Sequence, residues 1–320
     1  MAESKKPEIN DLIFKELIKR GYALDGNTRI WNIADSKLWY LKPDQAQAYL
    51  DLLDTEDYNK NFGPKEKTLI KTHIDEILEK IEAEHINLID LGCGDGRKAI
   101  IFVEKLKNKK KVRYCPIDIS DYMVNKALKN IRKTDVEEVV KFQWNISDFE
   151  NIENVSNLLR FGDFKKNFFL LLGNTLSNFE INELLYEVRS GMKGGDYLLI
   201  GNGIDNNNVE KDVIEFCKKN KKNNEFLIKI PLQLGLTRDE LKLGSRFKNS
   251  RIEFYYTILK DKTITFQNKE VNFQKNDQII VATSYYYTKN DFMSFLKLYF
   301  NEVSLNVSDD KSYCLAFCKK

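Results

Sequence analysis

Apolar residues recur at helical spacing through the N-terminal quarter of the chain, and from Ile86 they gather into short runs separated by polar helices. Between Pro64 and Glu82 the positions Leu69, Ile70, Ile74, Ile77, Leu78 and Ile81 fall on one helix face. Earlier helices are expected over Ile9 to Arg20 and Pro43 to Leu53. Between these two lies an irregular aromatic stretch from Arg29 to Tyr40 that carries Trp31, Trp39 and Tyr40. Beyond Ile86 strand and helix alternate, with strands predicted at 86–91, 112–118, 139–145, 167–172 and 196–202. The fourth leads into a helix from Asn178 to Ser190, and the turn Gly194-Gly195 precedes the fifth. Such continuous apolar runs suit strands buried on both faces, so the expected fold is α/β, a parallel sheet covered by helices on each side.

About ninety residues separate the fifth strand from the helix that opens at Asn290, more than a single connection needs. They hold alternating strands near Ser250 to Ile258, Thr263 to Phe266 and Gln278 to Tyr285. Strands that leave and rejoin a core are expected to form a lid beside the carboxyl edge of the sheet, where α/β folds bind ligands. The chain is therefore expected to divide into residues 1–62 as the first part of a discontinuous substrate-binding lid domain, 63–204 as the core, 205–288 as the inserted lid, and 289–320 as a closing helix with antiparallel strands.

The run from Asn87 to Phe102 reads as a strand, a glycine turn and a helix. A dinucleotide fingerprint needs G-x-G-x-x-G, and Arg97 stands where its third glycine would be when counted from Gly92. The pattern is instead Asp90-x-Gly92-x-Gly94-x-Gly96, which resembles motif I of class I S-adenosylmethionine-dependent methyltransferases. The next strand ends in Asp118-Ile119, placed so that the carboxylate can accept both ribose hydroxyls; the competing reading of Asp118 is a cap for the helix near Ser120.

Composition narrows the remaining chemistry. The net charge of +3, from 51 basic and 48 acidic residues, leaves no electrostatic footprint of the size nucleic acid requires. Short lysine runs at 105–111 and 218–222 read as helix ends entering solvent. There is no apolar run of spanning length, and Met1 to Lys6 does not resemble a leader, so a cytosolic protein without a membrane partner is expected. Five cysteines without a C-x-x-C pair, and only His73 and His85, imply neither a disulfide framework nor a metal site.

After the fourth strand the segment Leu172-Gly173-Asn174-Thr175-Leu176-Ser177-Asn178 lacks the proline pair of enzymes that methylate base amines. It resembles the Leu-Gly-Ser-Thr-Ile-Gly-Asn segment of the histidine Nα-methyltransferases of ergothioneine biosynthesis, a family that also contains fungal enzymes methylating tryptophan-derived amines. The likeness extends through the aromatic N-terminal segment, Asp90 to Lys98, Asp118, Asp148-Phe149, the inserted strands, Arg251-Ile252-Glu253 and the stretch Val281 to Ser284. It implies a Rossmann-like class I methyltransferase core with a discontinuous second lid domain, and S-adenosylmethionine as cofactor. By the same resemblance the cofactor contacts are Asp90, Gly92, Gly94, Lys98, Asp118, Ile119, Asp148, Phe149 and Gly173. Asn178 and Gly173 align with residues beside the substrate's α-amino and carboxylate end, and Tyr40 with a tyrosine of the N-terminal lobe. Tyr40 and Asn178 are thus the catalytic candidates, with Phe254, Ala282 and Ser284 completing the substrate set. Asn178 as a plain helix cap is the competing reading.

Two departures bear on the substrate. The family glutamate that reads the imidazole, two residues before a serine, is replaced here by Ala282 ahead of Ser284, and the lobe's Tyr-Tyr-Pro by Phe62-Gly63-Pro64. A buried imidazole without its hydrogen-bonding residue loses water uncompensated. The expected activity is N-methylation of the α-amine of an amino acid or related small amine other than histidine. A peptide or protein amine, or a methyltransferase-like protein without turnover, are the alternatives. The expected partner is a small molecule, and a monomer is the simplest assembly.

Overall fold

The computed structural model describes residues 9–55, 63–134, 136–142 and 145–320; Phe62, the positions 143 and 144 of the strand expected over 139–145, and the N-terminus through Glu8 lie outside them. The strands in chain order are β1 (Tyr22–Asp25), β2 (Thr28–Asn32), β3 (His85–Leu91), β4 (Lys111–Ile117), β5 (Glu138–Val139), β6 (Lys166–Leu171) and β7 (Tyr197–Gly203). They continue as β8 (Leu241–Lys248), β9 (Arg251–Ile258), β10 (Lys262–Phe266), β11 (Lys269–Phe273), β12 (Gln278–Tyr285), β13 (Glu302–Val307) and β14 (Tyr313–Lys319). The chain forms two compact units, one of residues 1–55 and 210–285 and the other of residues 56–209 and 286–320.

The second unit is built on a seven-stranded sheet in the order β13-β14-β7-β6-β3-β4-β5. The strands β3 to β7 run parallel, and β14 enters antiparallel against β7. Successive side chains point to opposite faces, so each parallel strand feeds two cores. Ile89, Leu91, Phe169 and Leu171 pack with the helices Ile152–Leu159, Ile181–Gly191 and Lys289–Tyr299. Ile86, Leu88, Phe168 and Leu170 pack with Gly63–Glu79 and Arg97–Leu106. This is the doubly covered α/β sheet that the apolar runs predict.

Three local readings are corrected. Among the described residues, the third parallel strand, expected over 139–145, pairs as a ladder at Glu138–Val139, with an isolated bridge from Ile146 to Asp118 beyond it. Past the ladder, Asn145 bends the chain: its Oδ1 accepts the Phe142 N–H at 2.6 Å and its Nδ2 donates to the Pro116 carbonyl at 2.7 Å. The helix expected from Asn178 begins at Ile181, because Phe179 is extended and the Glu180 carboxylate caps it by accepting the Asn182 and Glu183 N–H groups. The chain leaves this unit at Val209 and returns at Tyr286, not at 204 and 289, since Asp205 N–H donates to the Tyr287 carbonyl at 2.8 Å and Ile204 N–H to that of Ser312 at 3.0 Å.

The first unit has a five-stranded sheet in the order β1-β2-β12-β9-β8, with β2 and β12 parallel and the other pairs antiparallel, plus the hairpin β10-β11. Segments from both ends of the sequence therefore share one sheet. Its aromatic residues form separate groups, not a single cluster. Trp31 packs on Tyr22 and Phe273 and donates to Asp277, whereas Trp39 and Tyr40 pack with Phe226. Among the described residues no helix is long and apolar enough to cross a membrane.

Candidate active site

At the carboxyl end of β3 the chain turns through Gly92, Gly94 and Gly96, with φ of 67°, 52° and 76°. This left-handed region is costly for any residue with a Cβ. At Gly94 a Cβ would meet nothing within 4 Å, so the backbone there faces open space that a ligand can enter; at Gly96 it would press at 3.1 Å on Ala127 of the helix Asp121–Ile131. The turn is therefore tight on its helix side and open on the other.

Asp118, just past β4, closes this turn. Its carboxylate accepts the Gly94 N–H at 3.1 Å and the Ser120 N–H at 3.0 Å. These bonds tie the glycine turn to the end of the neighbouring strand and reach no amide inside the helix that starts at Asp121. Asp90 accepts the Tyr114 hydroxyl at 2.9 Å. Burial dominates both carboxyls, raising Asp90 to about 7 against the Tyr114 hydrogen bond and Asp118 to about 6 against its backbone donors. Among the described residues neither pairs with a cation at ion-pair distance, although the charge of Lys98 lowers Asp90 in part. A ligand that brings hydroxyl donors would supply what burial has removed.

Around this centre, Ile119 is half-buried beside Asp118, and Asp148 ends its own stretch by accepting the Asn151 amide at 3.1 Å. The Phe149 ring packs on Phe179 with centroids 5.3 Å apart. Gly173 is left-handed, with φ of 77°, and a Cβ on it would overlap the Lys98 ammonium. Asn178 ends the short 3₁₀ turn Leu176–Asn178, half-buried, and its side chain makes no hydrogen bond among the described residues. The helix-cap reading of Asn178 is set aside, since Glu180 has that role.

Tyr40, Phe254, Ala282 and Ser284 belong to the first unit. Register places Phe254 opposite Ala282 and Ile252 opposite Ser284, so these side chains share one sheet face. Glu253 points to the other face and is paired there by Arg246 at 2.7 Å and Arg251 at 2.6 Å. Tyr40 packs on Tyr49 at 5.3 Å between ring centroids and on Phe226 at 6.0 Å.

One residue of the second unit escaped the sequence reading. Glu66 is 4% exposed and lies beneath Gly173 and Lys98, pairing with the Lys98 ammonium at 2.5 Å. The available signal was a lone acid on the apolar stripe of its helix, three residues before Leu69 and four before Ile70.

A model of the histidine-specific, S-adenosylmethionine-dependent methyltransferases matches residues 47–320. The chain belongs to this family. The methyltransferase is also similar in fold to solved structures at low identity. A Pyrococcus horikoshii protein is 14% identical, with 85% of this chain and 98% of that one covered and a TM-score of 0.45. An S-adenosylmethionine-dependent methyltransferase of Clostridium acetobutylicum gives 14%, 85%, 98% and 0.44 for the same measures. No curated protein matches the methyltransferase significantly. S-adenosylmethionine is thus its cofactor, and the open glycine turn with two buried carboxyls suits a ligand rich in hydroxyl and ammonium donors.

Proposed function

We propose that this methyltransferase transfers a methyl group to the α-amine of an amino acid or related small amine, and that histidine is not its preferred acceptor. Bound at the glycine turn, S-adenosylmethionine supplies an electrophilic methyl on a sulfonium that is its own leaving group. What is asked of the protein is alignment and a neutral amine, and alignment alone is worth about 7–11 kcal/mol of barrier. In this reading Asp118 holds the ribose, with Ile119, Asp148 and Phe149 at the adenine and Asp90, Gly92, Gly94, Lys98 and Gly173 at the remainder of the cofactor. The free amide of Asn178 offers a donor and an acceptor to the substrate's carboxylate and amine. Tyr40 is assigned to the proton of the amine, and Phe254, Ala282 and Ser284 to the side chain of the substrate.

The observation that carries the substrate choice is the sheet face on β9 and β12. Phe254 and Ala282 stand opposite each other there, and the acid of that region, Glu253, is turned to the other face and neutralised by two arginines. An imidazole meeting that surface loses water without gaining a charged acceptor. The test is incubation with methyl-labelled cofactor and a panel of amino acids and amines, read by mass spectrometry. Methylation of another amino acid faster than histidine is expected; histidine equalling or exceeding every other member of the panel would refute the choice. With the best acceptor, Asn178→Ala should slow single-turnover transfer about tenfold or more and leave S-adenosylhomocysteine affinity unchanged. A lower melting temperature with an intact rate would make Asn178 structural.

A further inference from the structure

Glu66 sits in the first turn of the helix Gly63–Glu79, buried, yet it is far from isolated. One carboxylate oxygen accepts the backbone N–H of Gly173 at 2.7 Å and the hydroxyl of Tyr313 at 2.7 Å, and the other faces the Lys98 ammonium at 2.5 Å. The backbone has been cleared to admit it. A Cβ on Gly201 would overlap the first oxygen, and one on Gly173 would overlap the ammonium. The Lys98 side chain is nevertheless 44% exposed, so a buried anion holds the head of a lysine that still reaches solvent. A fully satisfied carboxylate in a dry setting is a rigid anchor, because losing any one donor leaves it partly unpaired.

We propose that Glu66 is a positioning residue for the cofactor's aminoacyl end, acting through Lys98 and the Gly173 turn. This inference rests on placing S-adenosylmethionine at the glycine turn. The aminoacyl end is a zwitterion. A lysine free on its four-carbon stem would lose rotamer freedom on meeting the carboxylate of that zwitterion, and the pair with Glu66 has removed that freedom beforehand. The same anion fixes the Gly173 N–H, which keeps the turn after β6 from moving against Lys98.

The test uses two ligands that share adenine, ribose and sulfur: S-adenosylhomocysteine, which carries the aminoacyl end, and 5′-methylthioadenosine, which lacks it. By calorimetry, Glu66→Gln and Lys98→Met should each weaken S-adenosylhomocysteine about tenfold and change 5′-methylthioadenosine less than about twofold. The double variant should be no weaker than Lys98→Met alone, as expected when one residue acts through the other. Tyr313→Phe removes one donor from the same carboxylate and should give the same selectivity with a smaller loss, which keeps the test available if Glu66→Gln does not fold. Equal losses for both ligands, no loss for either, or losses that multiply in the double variant would overturn the role of Glu66. Should the wild type bind neither ligand, or Asp118→Ala leave both affinities unchanged, the placement of the cofactor falls, and this inference with it.

Discussion

The two ends of the central sheet are built on opposite principles. At the amino end, buried polar groups pair with one another, although the Arg160 Nε finds no partner among the described residues. Asp196, which is fully buried, accepts the Arg160 guanidinium, the Asn167 N–H at 3.0 Å and the Lys193 N–H at 2.7 Å. Asn87 donates to Asn167 at 2.8 Å, and Arg113 stacks between Phe161 and Phe164 while it bonds the Leu159 carbonyl at 3.0 Å. At the carboxyl end, the buried carboxyls Asp90 and Asp118 have neutral donors alone, and the chain beside them turns through left-handed glycines. One end spends its polar groups on the fold. At the other, Asp90 and Asp118 carry a desolvation load that a ligand's donors would relieve, which is how a binding site differs physically from a structural network.

The contrast can be broken most sharply at Asp196. Asp196→Ala leaves Arg160 buried without its partner and should cost about 3–5 kcal/mol in urea unfolding, with cofactor affinity per folded molecule unchanged. A loss of under about 1 kcal/mol would show that the amino-end network is not structural. Asp118→Ala should do the reverse. Two hydrogen bonds from ribose hydroxyls to a charged acceptor are worth about 3 kcal/mol together, so S-adenosylhomocysteine affinity should fall roughly a hundredfold while stability at neutral pH shifts by less than about 1 kcal/mol. If the stability loss exceeded the affinity loss, the two ends would be alike.

The smallest effect is on pH. Because burial raises Asp118 to about 6 and Asp90 to about 7, the unfolded chain gives up these protons at lower pH than the folded one does. The folded state then binds more protons across the window from about 4 to 7, so this pair makes stability decline as pH rises through it and level off above. Around Asp90, the charges of Asp118 and Asp95 add to the rise that burial causes, and Lys98 opposes it. Cofactor binding favours the ionised Asp118, so S-adenosylhomocysteine affinity should rise up to about tenfold between pH 5 and 7. Melting curves and calorimetry over that range check both trends, and an affinity independent of pH in the wild type would mean that Asp118 is already ionised in the free protein.

Much of this was legible along the chain. Glycines at 92, 94 and 96 are demanded by backbone angles, which depend on the residue itself, and the continuous apolar strands β3, β4, β6 and β7 declare burial on both faces without reference to their neighbours. The order of motifs from Asp90 to Ser284 likewise carried the family, which the match over residues 47–320 establishes. Short-range ambiguity accounts for the misreadings. Asn178 is the better cap by residue type, and only the extended backbone at Phe179 hands that role to Glu180. Val139 to Phe142 reads as a strand until the Asn145 side chain, bound to Pro116, bends it away.

Glu66 marks what sequence could not reach. Its partners Gly173 and Tyr313 lie 107 and 247 positions further along the chain, and nothing in its own neighbourhood announces them. The sequence alone determined the alternation of buried strands and helices from Ile86 onward, where the backbone must turn left-handed, and which family the chain joins, because propensity, periodicity and glycine geometry act within a few residues. Tertiary structure alone decided which carboxylates are buried, which of them are paired, and which remain open to a ligand. Desolvation and pairing depend on every group within a few ångströms, whatever its distance along the chain.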